Sequence, residues 1–304
     1  MKLVLNICGV VKYCGDEKAA QMAKAAGFEG VDYDICVMEK GTEDIWHSDA
    51  YAQEAKRIRE IYESAGVPIR QTHAPFRFTK WTDKEYFEGF IMPTMKRSVE
   101  VSALLGAKVV VAHPLHFMKY AGNEEEIFEM NMKYYRELIP VAQKMGIKVA
   151  VENMFQWDDL RNLPAHDTCS HIDEFIRYVD TLDSENIIAC LDVGHVGLPR
   201  PDGAESWDFV RALGHDRLKS LHVHDNDYRG DAHQLPYQGR IDWDKVTQAL
   251  GEIDYDGDFT YEVSSKWITD RLNRVGEDFA QQELNYMGAV GRHLVEKIEK
   301  SRVK

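Results

Sequence analysis

Nine side chains in this sequence stand out as candidates to hold divalent cations: His73, His113, Glu152, Asp192, His195, His222, Asp231, His233 and Glu262. The densest supply is the stretch Leu218 to Trp243, LKSLHVHDNDYRGDAHQLPYQGRIDW, where His222, His224, Asp225, Asp227, Asp231, His233 and Asp242 crowd together. Imidazole nitrogens mixed with carboxylate oxygens form a donor set for a borderline or hard divalent ion. Glu152, in VAVENM, and Glu262, in FTYEVS, carry the most weight because their neighbours are apolar. An ionised carboxylate in such surroundings is costly unless a cation or hydrogen bonds compensate it. No lysine or arginine stands in the strand cores nearby to serve as a simple salt-bridge partner.

These residues are far apart in sequence, so a repeating scaffold must bring them together. Strand-like runs occur at LVLNIC (3–8), VDYDIC (31–36), VPIRQTHAPF, AKVVVAHPLH, IKVAVENMF, NIIACLDVGH, LKSLHVHDN and DFTYEVSS. They are rich in aliphatic and β-branched residues, and AKVVVAHPLH reads as a strand buried on both faces. Helical periodicity separates them, beginning with DEKAAQMAKAAGF from Asp16 and DAYAQEAKRIREIYESAG, which a glycine at 66 should stop. Further helices are expected from Lys84 to Gly106 with a kink at Pro93, over 124–146, over HIDEFIRYVDTLDS and around Ser206 to Leu213. DWDKVTQALGEIDYDG follows with Asp242 as its N-cap, and FAQQELNYMGAVGRHLVEKIEK is the last. The segment QWDDLRNLPAHDTCS reads as a polar loop.

Eight strands alternating with eight helices, undivided by any linker, predict one α/β domain over residues 1–304, a (β/α)8 TIM barrel. A doubly wound open sheet fits less well, since no GxGxxG turn follows the first strand. In a barrel the C-terminal strand ends meet on one face, and almost every strand from the third onward ends on a residue competent to bind metal.

The whole-chain properties narrow the setting. With 304 residues, 44 % hydrophobic and 29 % charged, the sequence describes a soluble globular protein without a run long enough to span a bilayer. The N-terminus runs straight into strand sequence, and Cys8, Cys14, Cys36, Cys169 and Cys190 are odd in number without CxxC spacing. Both features favour a cytoplasmic protein with reduced thiols. A net charge of −14 disfavours nucleic acid and anionic membranes as partners. Trp81, Trp157, Trp207 and Trp267 are candidates to stack on a bound ligand, and a homo-oligomer is compatible with the composition.

The succession VEN, LDVGH, HVHDND, DAHQLPYQGRIDW and YEVS resembles the xylose isomerase-like TIM barrel superfamily, which holds sugar (phosphate) isomerases and epimerases and also endonuclease IV. The resemblance implies that Glu152, Asp192, His222 and Glu262 bind one divalent ion, Mn2+, Mg2+, Co2+ or Zn2+. It also implies that Glu152 and Glu262 move a proton on a small sugar or polyol through a metal-stabilised enediolate. His195 matches a substrate contact, and His73, His113, Asp231 and His233 join it as expected substrate-binding residues. Two positions depart from the ketose 3-epimerases: Asp158 stands where they carry glutamate, and Tyr228 where they carry arginine, with Arg229 next. Free-ketose epimerisation is therefore open, as is phosphorylation of the sugar. An inosose-dehydratase-like lyase shares the scaffold. A trinuclear zinc phosphodiesterase like endonuclease IV would use all nine residues, although the acidity of the chain is awkward for gripping DNA.

Overall fold

A computed structural model of the chain describes residues 1–35, 44–76, 83–115, 118–199, 204–263 and 276–302. Its strands are β1 (Leu3–Asn6), β2 (Gly30–Asp34), β3 (Ile69–His73), β4 (Val109–Ala112), β5 (Lys148–Glu152), β6 (Phe155–Asp158), β7 (Leu163–His166), β8 (Ile187–Asp192), β9 (Leu218–His222) and β10 (Phe259–Tyr261). All but β6 and β7 form one parallel sheet in the order β10-β1-β2-β3-β4-β5-β8-β9. A parallel bridge between Val223 and Tyr261 joins the two ends of that order. The result is the expected (β/α)8 barrel.

The inside and outside of the barrel follow from the two-residue period of a strand. On β5, Val149 and Val151 join the large core under the helices, while Ala150 falls in a small interior cluster with Val111, Ile188 and Cys190. The next inward position on β5 is Glu152. The same alternation sends Leu191 outward and Asp192 inward on β8, and Leu221 outward and His222 inward on β9. Thus the interior is apolar at its base and polar at the C-terminal strand ends, where the site residues collect.

The helices flank this ring. They are α1 (Cys8–Cys14), α2 (Asp16–Ala25), α3 (Tyr51–Ala65), α4 (Lys84–Tyr86), α5 (Met92–Leu104), α6 (Glu124–Met145), α7 (Ile172–Leu182), α8 (Ser206–Arg217), α9 (Trp243–Glu252) and α10 (Glu277–Ser301). Gly66 ends α3 at φ 73°, the left-handed conformation that glycine adopts without a Cβ penalty. Asp242 caps α9 by accepting the Lys245 amide, as expected.

Three local expectations change. The strand expected over 3–8 stops at Asn6, and Cys8 opens α1, which packs Val10 into the core. The single helix expected over 84–106 is broken by a π-turn at Phe87–Ile91, with Pro93 in the first turn of α5, where proline's missing N–H is harmless. The segment read as a polar loop holds the antiparallel hairpin β6–β7, pairing Phe155 with His166 and Asp158 with Leu163. Its strands are short and its outer face is wet, so no apolar alternation announces it.

Candidate metal centre

Glu152 is the hub of the site. At the end of β5 it is 1 % exposed, and its Oε1 lies 3.1 Å from His222 Nδ1. Its Oε2 lies 3.2 Å from His113 Nε2 and 3.8 Å from His73 Nε2 but accepts no hydrogen bond. Glu262, just past β10, places Oε2 3.3 Å from the same His222 Nδ1. Asp192, at the end of β8, sits 3.0 Å from His224 Nε2 and accepts the His195 backbone N–H at 2.7 Å. Among the described residues, the ion pairs of Glu152, Asp192 and Glu262 all run to histidines.

The loop after β9 closes a second part of the site. His233 faces acceptors at both ring nitrogens, with Nδ1 2.6 Å from the Glu262 carbonyl and Nε2 2.7 Å from Asp231 Oδ2, and it stacks on His224 with ring centroids 4.1 Å apart. Asp231 reaches His195 Nε2 at 3.7 Å. Asp225 organises this loop. Its two oxygens accept from the Trp243 indole at 2.9 Å and from the backbone of Asn226, Tyr237 and Ile241.

Electrostatics follow from burying these groups together. Burial pushes the Glu152 carboxyl upward, but the His222 and His113 imidazoles outweigh it and hold it well below the ordinary range. Asp192 behaves alike, lowered to about 2 against its own burial by His195 and His224. Glu262 goes the other way, raised to about 8, because burial and the nearby Glu152 and Asp192 charges exceed the relief from His222 and His233. His73 is lowered to about 4 by burial and by His113 beside it. His233 is raised to about 10, the Glu262 and Asp231 carboxylates overcoming burial.

The residues singled out from sequence therefore meet at one mouth: eight of the nine, joined by His224, fall in three donor groups, two of which share Glu152 and His222, and His113 lies beside Glu152. Ligand-capable atoms lie within 4.8 Å of one another in Glu152, Asp192, His222 and Glu262, in His73, Glu152 and His222, and in His195, His224, Asp231 and His233. The chemistry of the first group fits a divalent cation: three carboxylates and one imidazole, three of the four side chains buried, with no lysine or arginine among the described residues paired to them. The buried Glu152 Oε2, which accepts no hydrogen bond from the described residues, suits a cation-binding role.

Other expectations are relocated. Asp227 accepts the Arg229 amide within the loop, and Asp225 and Asp242 serve the backbone, so three of the seven residues of the 218–243 cluster are architectural. Asp158 binds the Leu160 and Arg161 amides at the hairpin turn. Trp157 is 43 % exposed on β6, Trp207 carries Lys245 Nζ 4.4 Å above its ring, and Trp81 and Trp267 lie outside the described residues. Cys8, Cys14, Cys169 and Cys190 are free thiols, and Cys36 also lies outside the described residues.

Sequence reasoning passed over Asn153 and Asp32. The Asn153 side chain donates to the Asp192 carbonyl at 3.0 Å and accepts its amide at 2.8 Å, while the Asn153 carbonyl is 2.9 Å from His195 Nδ1. Asp32 is fully buried at an inward position of β2, visible beforehand as one of two aspartates, with Asp34, in the otherwise apolar VDYDI run.

An eight-stranded barrel with buried carboxylates and imidazoles at its C-terminal mouth defines a class of TIM barrels whose strand ends carry groups able to hold a metal. The chain belongs to the xylose isomerase-like TIM barrel family, whose model matches residues 20–287. An uncharacterized protein of Methanocaldococcus jannaschii, MJ1311, is 27 % identical over 238 residues, 74 % of this chain and 76 % of that protein. A D-psicose 3-epimerase of Enterocloster bolteae is 28 % identical over 123 residues, 40 % of this chain and 35 % of that protein. Among solved structures, a D-tagatose 3-epimerase-like protein superposes with TM-score 0.72 at 22 % identity over 99 % of each chain. The IOLI protein, solved with a zinc atom, superposes with TM-score 0.69 at 18 % identity over 100 % of each chain. No helix among the described residues is long and apolar enough to cross a membrane.

Proposed function

We propose that this chain is a divalent-metal-dependent isomerase or epimerase of a sugar or sugar-like polyol. The observation that carries this reading is the convergence of Glu152 and Glu262 on one nitrogen of His222, at 3.1 and 3.3 Å, with Asp192 completing the donor group. The family and the epimerase names among the relatives support the same reaction class. These four residues would hold a divalent ion, which would supply Lewis-acid polarisation of a substrate carbonyl. Glu152 and Glu262 remove and return the proton on the hydroxyl-bearing carbon next to that carbonyl. Asn153 holds the Asp192 backbone, and His195, fixed through Nδ1 to the Asn153 carbonyl, presents Nε2 to a substrate oxygen.

Glu152→Gln and Glu262→Gln each remove a proton carrier with little change of shape. Both are expected to lower turnover by at least about 100-fold in a Mn2+-supplemented screen of free and phosphorylated ketoses and inososes. Near-wild-type rates in both variants would sink the proposal.

A second reading has its own support. His195, Asp231 and His233 cluster as a separate donor group, and His73 and His113 flank Glu152, which is the pattern for three ions acting on a phosphodiester. Metal analysis of the purified chain separates the two. About one exchangeable ion per chain favours the isomerase, whereas three, with cleavage of an abasic-site duplex, favour the phosphodiesterase.

A further inference from the structure

The two ring nitrogens of His222 keep different company. Nδ1 faces the Glu152 and Glu262 carboxylates. Nε2 points the other way, toward β2, where Asp32 Oδ2 lies 3.8 Å off. Both residues are 0 % exposed. Nε2 has no hydrogen-bond partner, and neither has Asp32 Oδ1, while Oδ2 accepts only a long bond from Asn6 Nδ2 at 3.4 Å. A buried carboxylate with so little compensation is expensive, and the imidazole N–H is the donor that faces it.

We infer that Asp32 is a positioning residue for His222, selecting the tautomer with hydrogen on Nε2 so that the Nδ1 lone pair is free for the cation. The inference rests on the reading of Glu152, Asp192, His222 and Glu262 as a divalent metal centre. A neutral imidazole has one donor and one acceptor nitrogen, and a ligand nitrogen must be the acceptor. A carboxylate behind the donor nitrogen fixes the tautomer and the ring plane and raises the basicity of the ligand nitrogen. At 3.8 Å the contact exceeds hydrogen-bond length, so in this geometry the selection works through charge. Asp32 and His222 sit on β2 and β9 across the barrel interior, so their opposition is a product of the closed ring and not of one loop.

The test uses the full chain stripped of metal, with Asp32→Asn, which keeps an oxygen acceptor but loses the charge, and Asp32→Ala, which loses both. Co2+ affinity, read by competition with a chromophoric chelator, is expected to fall about 10-fold in the first variant and toward about 100-fold in the second. In the Zn2+-loaded wild type, a slowly exchanging His222 Nε2–H resonance is expected in the imidazole 1H–15N spectrum, and it should be lost in Asp32→Ala. If Asp32→Ala does not fold, the isosteric Asp32→Asn carries both measurements. Unchanged Co2+ affinity with an unchanged Nε2–H resonance overturns the inference and leaves the metal centre standing. Failure of the wild type to bind Co2+ or Zn2+ overturns the metal centre and the inference together.

Discussion

The site is packed so closely that one hydrogen atom decides part of it. Gly194, two residues after Asp192, has ordinary helical dihedrals, φ −74° and ψ −36°, so no conformational need explains a glycine there. What explains it is the His224 ring: a Cβ at 194 would run into the imidazole, which is fully buried and cannot swing away. Gly194→Ala should therefore displace His224 from Asp192 and cost about 1–3 kcal/mol, the usual range for overpacking, measured by urea unfolding. An unchanged midpoint would mean that the ring relocates freely. His233 shows the complementary strain. It holds φ 44°, left-handed for a residue with a Cβ, and its bonds to Glu262 and Asp231 at either nitrogen keep it there.

Between elements, Glu174 joins three segments. It lies in the first turn of α7 and accepts the Tyr120 hydroxyl at 2.9 Å, from the segment after β4, and the Cys169 amide at 2.7 Å, from the segment after the hairpin. Burial pushes its carboxyl from 4.5 up to about 7, beyond what these bonds recover. The folded state therefore holds a proton that the unfolded chain releases. This contribution is fully present below pH 4.5 and is lost as pH rises through about 7. Glu174→Gln cannot ionise, so it should flatten that loss, gaining about 1–2 kcal/mol over wild type at pH 8 after allowance for partial solvent access. Melting temperatures of both proteins between pH 4.5 and 8 check it, and parallel curves would refute it. The same region shows where sequence pattern stops being informative. The barrel strands and the positions of His73, His113, Glu152, Asp192, His222 and Glu262 at or just past their ends were legible because burial on both faces writes continuous apolar runs that end abruptly in polar residues, whereas His195, Asp231 and His233 lie in the loops beyond and their roles came only from the family resemblance. The β6–β7 hairpin was not, since Leu160 and Leu163 on it are exposed, 99 % and 54 %, and no buried face imposes a period. Asn153 was hidden for another reason: its partners are the backbone of Asp192 and His195, which only the closed barrel brings near.

At the scale of the whole molecule, ligands drawn from residues 73 to 262 exist as a site only while the ring from β10 to β9 is closed. Opening any part of the barrel separates donors, so cation binding should be linked to global unfolding and not to a local transition. Binding to the folded state alone stabilises by RT ln(1 + [L]/Kd), about 2.7 kcal/mol at 100 times Kd. For a chain of 304 residues that corresponds to a rise of about 4 °C in Tm. Mn2+ or Zn2+ added to the stripped protein should raise the single calorimetric transition by that amount, and a chelator should return it. The double variant Asp192→Asn, Glu262→Gln removes two carboxylates from the central group and should show no such rise. The group at His195, His224, Asp231 and His233 keeps its imidazoles in that variant, so a residual shift would locate a second ion there. A metal effect confined to a separate low-temperature transition would instead mean that the donors assemble without the barrel, against the order of events that the topology requires.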